Sequence, residues 1–325
     1  MDRGVSARPS WNFPWKVGDP CPCGSKVVFG RCCLQRDGRP YLRLNSILPP
    51  GEPTGYAHPR CYLASSCNCS TAISREHYIS RGMIAGPEVK VQGMPWQAEP
   101  VLRVSPDALT SKVLCRRHNQ ALSPLDEHAL RAFREVGKAR DHATRRSLSR
   151  RPYAAILSGE ALELWALKTM AGCYASGMEF MVGPRRFREA PPPMAQIAEI
   201  LTSPRPRALV SLDIPAEAEA HEASLGRSAV SIIPLYEDGD DMMSAFMVRM
   251  HGLGFKFHFK DSGTAQDAAG LVRPHMVDLI GPLRKSRLYL GWPEAVAGRY
   301  VFIRLRQSDA APRERRRPGR SERGD

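Results

Sequence analysis

CYLASSCNCSTAISREHYIS, residues 61–80, places three cysteines just ahead of a short apolar run that carries a Glu–His pair. Its counterpart is LCRRHNQALSPLD, residues 114–126, where Cys115-x-x-His118 falls at the entry to a helix. ISREHYIS reads as a short strand within 71–80, a second strand is expected near Lys112–Leu114, and the helix starts at about Arg116. Adjacent residues on a regular strand face opposite ways, so Glu76 and His77 are expected to point to different sides. Cys61, together with Cys69 or Cys67, supplies two ligands on a knuckle, and Cys115 and His118 supply two at a helix start. Four such donors suit one tetrahedral Zn²⁺, and the preferred set is Cys61, Cys69, Cys115 and His118. By itself a Glu–His pair is no more than two polar residues at a strand end. Between two metal knuckles it becomes a candidate for chemistry.

The helix is expected to continue through LDEHALRAFREVGKAR, with a possible break at Ser123–Pro124, because proline is tolerated only in a first turn. Leu125, Ala129, Ala132 and Phe133 recur at helical spacing and should face a core. A second helix, SGEALELWALKTMAG, should bury Leu162, Trp165, Leu167 and Met170. Beyond it RALVSLDI, SAVSIIPLY, SAFMVRM, GFKFHFK, RLYLGW and RYVFIRLR read as strands, and MVRMHGLGFKFHF as a hairpin. The fold class is α+β, with four parts. Residues 1–57 form a small zinc module and linker, 58–150 a zinc-stapled core ending in a basic helix, 151–310 a mainly antiparallel α+β domain, and 311–325 a disordered basic tail.

The chain has 325 residues and a formal net charge of +14, which favours polyanionic partners, nucleic acid first among them. Positive charge gathers between Arg131 and Arg151 and again from Arg313 onward. Arg116, Arg117, Arg145 and Arg146 are the candidate contacts to a phosphate backbone, and Trp96 could stack on a base or cap the core. No stretch of 18 apolar residues is present and the first residues lack an apolar signal core, so a cytoplasmic protein without membrane contact is expected. Eight of the nine cysteines precede residue 116, a distribution that points to metal rather than disulfides. His251, His258 and His275 stand without ligand-spaced partners and read as structural, while His128 and His142 read as solvated or phosphate-facing.

CPCGSKVVFGRCC, residues 21–33, contains the other four-thiol set: Cys21, Cys23, Cys32 and Cys33. Four thiolates this close can close a second tetrahedral Zn²⁺ site, with Gly24 and Gly30 permitting the turns. These residues resemble the SEC-C motif, a small zinc module, and the resemblance implies a docking surface for a protein partner.

The second group, read as a treble clef, resembles the zinc-stapled form of the HNH endonuclease family over roughly residues 58–130. The resemblance implies a ββα-metal core. Residue by residue, His77 matches the general base, Glu76 the acidic metal ligand before it, and Asn119 the polar metal ligand on the helix. Cys115 and His118 match the second knuckle, although His118 could instead join the catalytic cation. A Mg²⁺ or Mn²⁺ ion would be the catalytic cofactor, and the substrate a phosphodiester of DNA, with RNA possible. The proline common three residues after the histidine is absent, and Thr110 or Ser111 stands near the family's middle asparagine. Those departures keep a second class open, a non-catalytic zinc-stabilised nucleic-acid-binding or chaperone-docking adaptor.

Overall fold

A computed structural model describes residues 11–84, 87–91, 102–144, 152–178, 181–182, 185–186, 191–204, 210–215, 230–236, 243–259, 273–294 and 299–305. Trp96, Arg145, Arg146 and the 311–325 tail lie outside these residues. In chain order the elements are α1 (Phe29–Cys32), β1 (Ile73–His77), β2 (Val89–Val91), β3 (Leu102–Val104), β4 (Thr110–Cys115), α2 (Arg116–Thr144), β5 (Tyr153–Ser158), α3 (Gly159–Ala175), β6 (Met181–Val182), β7 (Arg185–Arg186) and α4 (Met194–Leu201). They continue with β8 (Val210–Asp213), β9 (Val230–Leu235), β10 (Ala245–Met250), β11 (Leu253–Phe259), β12 (Pro274–Ile280), β13 (Lys285–Gly291) and β14 (Arg299–Arg304). The architecture is mixed α+β.

β1 and β4 pair antiparallel, Ile73 opposite Cys115 and His77 opposite Thr110, with a register shift between Ser74 and Glu76. β4 then runs straight into α2. The first N–H groups of a helix have no partner within it. Here the knuckle loop supplies them: Arg116 N–H donates to the Ala72 carbonyl at 2.8 Å and Arg117 N–H to Ser70 Oγ at 3.2 Å.

α2 is unbroken across Pro124, contrary to the break suggested by the sequence. Proline removes the N–H that would bond the carbonyl four residues back, which belongs to Gln120. The Ser123 hydroxyl donates to that carbonyl at 2.9 Å and restores the lost bond. Leu125, Ala129, Ala132 and Phe133 are all buried, as the helical spacing requires.

α3 is buried almost all round, as expected of a helix apolar on every face. Ser158 caps it by accepting from Ala161 N–H at 3.2 Å. Its two buried charges are both engaged. Glu163 receives Arg273 through two hydrogen bonds of 2.9 and 2.7 Å, and Lys168 faces β1 and α2. The apolar core runs without interruption from Leu114 and Leu122 through Trp165 to Phe246 and Leu288.

Two four-stranded sheets follow α3. One, in the order β8-β11-β10-β9, is antiparallel throughout. Its central hairpin turns at His251 and Gly252, both with positive φ (52° and 80°), the requirement of a two-residue turn matched to strand twist. The other sheet, β14-β12-β13-β5, departs from the antiparallel expectation: β5 joins β13 and β14 joins β12 in parallel. Neither YAAILS (153–158) nor PHMVDLI (274–280) was legible as a strand. The first abuts a helix, and the second is buried on both faces, His275 and Asp278 included, with no alternation to mark it.

Gly281, at the end of β12, lies against the last turn of α2; a Cβ there would stand 1.9 Å from the Ala143 carbonyl oxygen. Gly281→Ala must therefore push backbone apart. A loss of about 1–3 kcal/mol is expected from such overpacking, read as a shift of the denaturant midpoint with an unchanged slope.

Candidate functional site

Cys61, Cys69, Cys115 and His118 converge, every pair of donor atoms lying within 4.8 Å, and all four are buried. His118 Nδ1 is 3.2 Å from Cys115 Sγ, 3.5 Å from Cys61 Sγ and 3.6 Å from Cys69 Sγ. Its other nitrogen, Nε2, lies 3.1 Å from Ser66 Oγ, whose own proton is donated to the Leu63 carbonyl at 2.8 Å. Ser66 therefore accepts from Nε2–H, which leaves the Nδ1 lone pair free for a metal, the usual outer support of a histidine ligand. Burial and the neighbouring Arg117 push the His118 pKa down to about 4, so the ring is neutral at pH 7. Burial works against a Cys115 thiolate, but the His118 and Ser70 N–H groups outweigh it and bring the thiol below its ordinary value. Cys67, the alternative ligand, sits exposed in a left-handed conformation (φ 50°) outside the cluster. A cage of three sulfurs and one imidazole fits a tetrahedral metal ion and is consistent with structural zinc.

Cys21, Cys23, Cys32 and Cys33 form the second cluster. Gly24 takes a left-handed turn (φ 79°). Gly30 has a different role from the one expected: it lies in α1, and a Cβ there would stand 2.2 Å from Val17 Cγ1, so it provides room rather than a turn. Burial pushes the Cys21 thiol up to about 11, whereas Cys23 falls to about 7: burial again opposes the thiolate, but hydrogen bonds from Ser25, Cys21 and Cys32 outweigh it.

This small module is fastened to the rest of the chain. Arg131 donates to the Cys23 carbonyl at 2.6 Å and to the Pro22 carbonyl at 2.9 Å. Phe13 and Trp15 pack on Tyr289 of β13 (ring centroids 4.9 and 5.9 Å apart), and Tyr289 donates to the Asn12 carbonyl at 2.6 Å. Arg131→Met removes two charge-assisted hydrogen bonds and leaves two carbonyls without their donor. We expect about 2–4 kcal/mol less hold on the module, visible as faster proteolysis near residues 11–40.

Several of the positive charges assigned to substrate have internal partners. Arg117 donates to Asn68 Oδ1 at 3.0 Å and to the Glu52 carbonyl at 2.9 Å, bracing the knuckle loop. Arg140 donates to the His251 carbonyl, and Lys138 pairs with Glu135 at 2.9 Å. His142, expected to be solvated or phosphate-facing, lies 3.0 Å from Ser286 Oγ of β13. Arg116 is exposed. His251 stacks on Phe133 at 4.1 Å and His275 meets Trp11 at 5.1 Å, both structural as read.

Beside the metal knuckle lies a cavity of about 260 Å³ whose lining includes Glu76, His77, Asn119 and Asp126. Exposed Arg75, Arg81 and Glu127 stand at its rim. Glu76 and His77, expected on opposite faces, both line it from the end of β1, beyond the register shift between Ser74 and Glu76. Nε2 of His77 is buried without a hydrogen-bond partner among the described residues. Burial first and Arg81 second hold the His77 pKa below the usual imidazole value, so the ring is neutral at pH 7.

Glu76 is not free. Lys168 Nζ, from α3, lies 2.6 Å from Glu76 Oε1 and 2.5 Å from Asp126 Oδ2. Asp126 Oδ1 accepts from Ser80 Oγ at 2.6 Å, and Ser80 accepts from Trp165 Nε1 at 3.0 Å. The Lys168 side chain is 3% exposed. Burial opposes its charge, but the Glu76 and Asp126 carboxylates outweigh it and hold its pKa above the ordinary lysine value. The sequence reading missed both Asp126 and Lys168. Asp126 stands seven residues after Asn119, two turns along the same helix face. A single lysine inside the apolar run LELWALKTMAG was the other signal.

Residues 19–35 match the SEC-C motif, with a four-cysteine cluster inside that span that can bind zinc. The match does not extend to the Glu76–His77 segment. No curated protein and no solved structure matches the chain. No helix among the described residues is long and apolar enough to cross a membrane.

Proposed function

We propose that the chain is a zinc-stapled, HNH-like endonuclease that hydrolyses phosphodiester bonds of nucleic acid, DNA first, with both four-donor clusters holding structural zinc. The observation that supports this reading most directly is His77: a neutral imidazole on the cavity wall with an unpartnered, buried Nε2. An enclosed acceptor of that kind is a position for a bound water. In the proposed step His77 takes a proton from water. The water oxygen forms a bond to phosphorus, the bond from phosphorus to the 3′-oxygen breaks, and the departing oxygen gains a proton from solvent. Asn119 and the rim arginines Arg75 and Arg81 would orient the phosphate. The net charge of +14 supports a polyanionic substrate.

The resemblance also assigns a Mg²⁺ or Mn²⁺ ion to Glu76 and Asn119. The residues as they stand do not fit it, because the Lys168 ammonium already occupies the Glu76 carboxylate. The direct test is plasmid nicking by zinc-loaded protein, with and without added Mg²⁺ or Mn²⁺. Nicking that co-purifies with the chain supports the reading. Tight binding of DNA with no nicking under any of these conditions supports the adaptor reading instead, which the Lys168–Glu76 pair favours.

A further inference from the structure

The carboxylates of Glu76 and Asp126 converge on one point from different elements, β1 and α2, and that point is filled by Nζ of Lys168 from a third, α3. The oxygens stand 2.6 and 2.5 Å from the nitrogen, within the oxygen-to-ion range of Ca²⁺ (about 2.3–2.6 Å) and a few tenths of an ångström longer than that of Mg²⁺. Asn119 and His77 line the same cavity and would complete an oxygen- and nitrogen-rich shell. We propose that the Lys168 ammonium is the resident cation of this pocket, and that a divalent ion binds between Glu76 and Asp126 only when the lysine is withdrawn or removed. The inference rests on the phosphodiesterase reading of the same cavity.

Three features argue for it. The carboxylates of buried Glu76 and half-buried Asp126 are brought together on one point, where they repel each other and favour a cation between them. Lys168 brings one formal positive charge to two carboxyl groups, whereas a divalent ion in its place would match both. The arrangement is also rigidly prepared, since Ser80 and Trp165 fix the Asp126 carboxylate from behind. A lysine carries its charge on a flexible four-carbon stem, unlike the fixed fork of an arginine, and can leave such a position.

The test uses the full-length, zinc-loaded chain with Mn²⁺ alone as the probe, followed by electron paramagnetic resonance. Lys168→Met keeps an unbranched, flexible stem one atom shorter and removes the charge. It is expected to take up one Mn²⁺ about 100-fold or more tighter than the unaltered chain, and the added Glu76→Gln change should abolish that uptake. Equal affinity in the unaltered chain and Lys168→Met would overturn the assignment. Should Lys168→Met not fold, the unaltered chain decides alone. Mn²⁺ bound below about 1 mM and released by Glu76→Gln overturns the proposal, and no such binding upholds it. Cleavage is scored separately: a Mn²⁺-loaded Lys168→Met chain that cuts no DNA removes the hydrolase reading while the lysine assignment stands.

Discussion

His77→Ala is expected to lower phosphodiester cleavage by about 10²–10⁴-fold, the usual contribution of a positioned general base, with metal content still two ions per chain. The separation of the two readouts follows from geometry. His77 lies at the end of β1, opposite Thr110, whereas Cys115, the member of the four-donor cluster on this strand pair, sits at its other end, opposite Ile73. Removing the imidazole leaves the knuckle intact. The pH profile supplies an independent check. Only the neutral ring accepts a proton, and burial places its pKa below the ordinary imidazole value. Cleavage should therefore fall as pH drops through that lowered value and be level around pH 7. A His77→Ala chain that cuts as fast as the original removes His77 from the chemistry.

Cys115→Ser should produce the largest loss of stability in the molecule. Cys115 closes β4, offers its sulfur to the four-donor cluster that could hold a metal ion, and receives the His118 N–H at 3.5 Å where α2 begins. A structural zinc contributes apparent binding energies of about 10–16 kcal/mol, comparable with the entire stability of a typical domain, about 5–15 kcal/mol. Metal content should drop from two ions to one, and α2 should lose its helical signal at temperatures where the original is folded. Two ions and an unchanged melting curve in the variant would show that the cluster holds no structural metal.

The convergence of the four donors was legible because their spacing is a local property. Cys115 and His118 are one helical turn apart, and Cys61 and Cys69 flank a short loop. Spacing alone did not separate Cys69 from Cys67; the left-handed turn at Cys67, which leaves that residue exposed, did. The helix was legible from its apolar stripe, but its continuity through Pro124 depended on a single hydroxyl, that of Ser123. The pocket was half legible. Glu76, His77 and Asn119 were visible as a pattern within one segment, while Lys168 arrives from a helix whose other residues read as packing. An ion pair between distant elements leaves no periodic trace. The same holds for Arg131 and Arg117, which look like surface charge in the sequence and act as internal braces in the fold.

α2 joins the two cysteine centres mechanically. It carries His118 near its start and Arg131 thirteen residues later, about 20 Å along a stiff rod, and Arg131 grips the carbonyls of the other cysteine loop. Stripping the ion from the buried centre frays the rod at its root and slackens the distant grip. Chelator titrations should therefore show release from the two centres as coupled events, the loss of one ion hastening escape of the other.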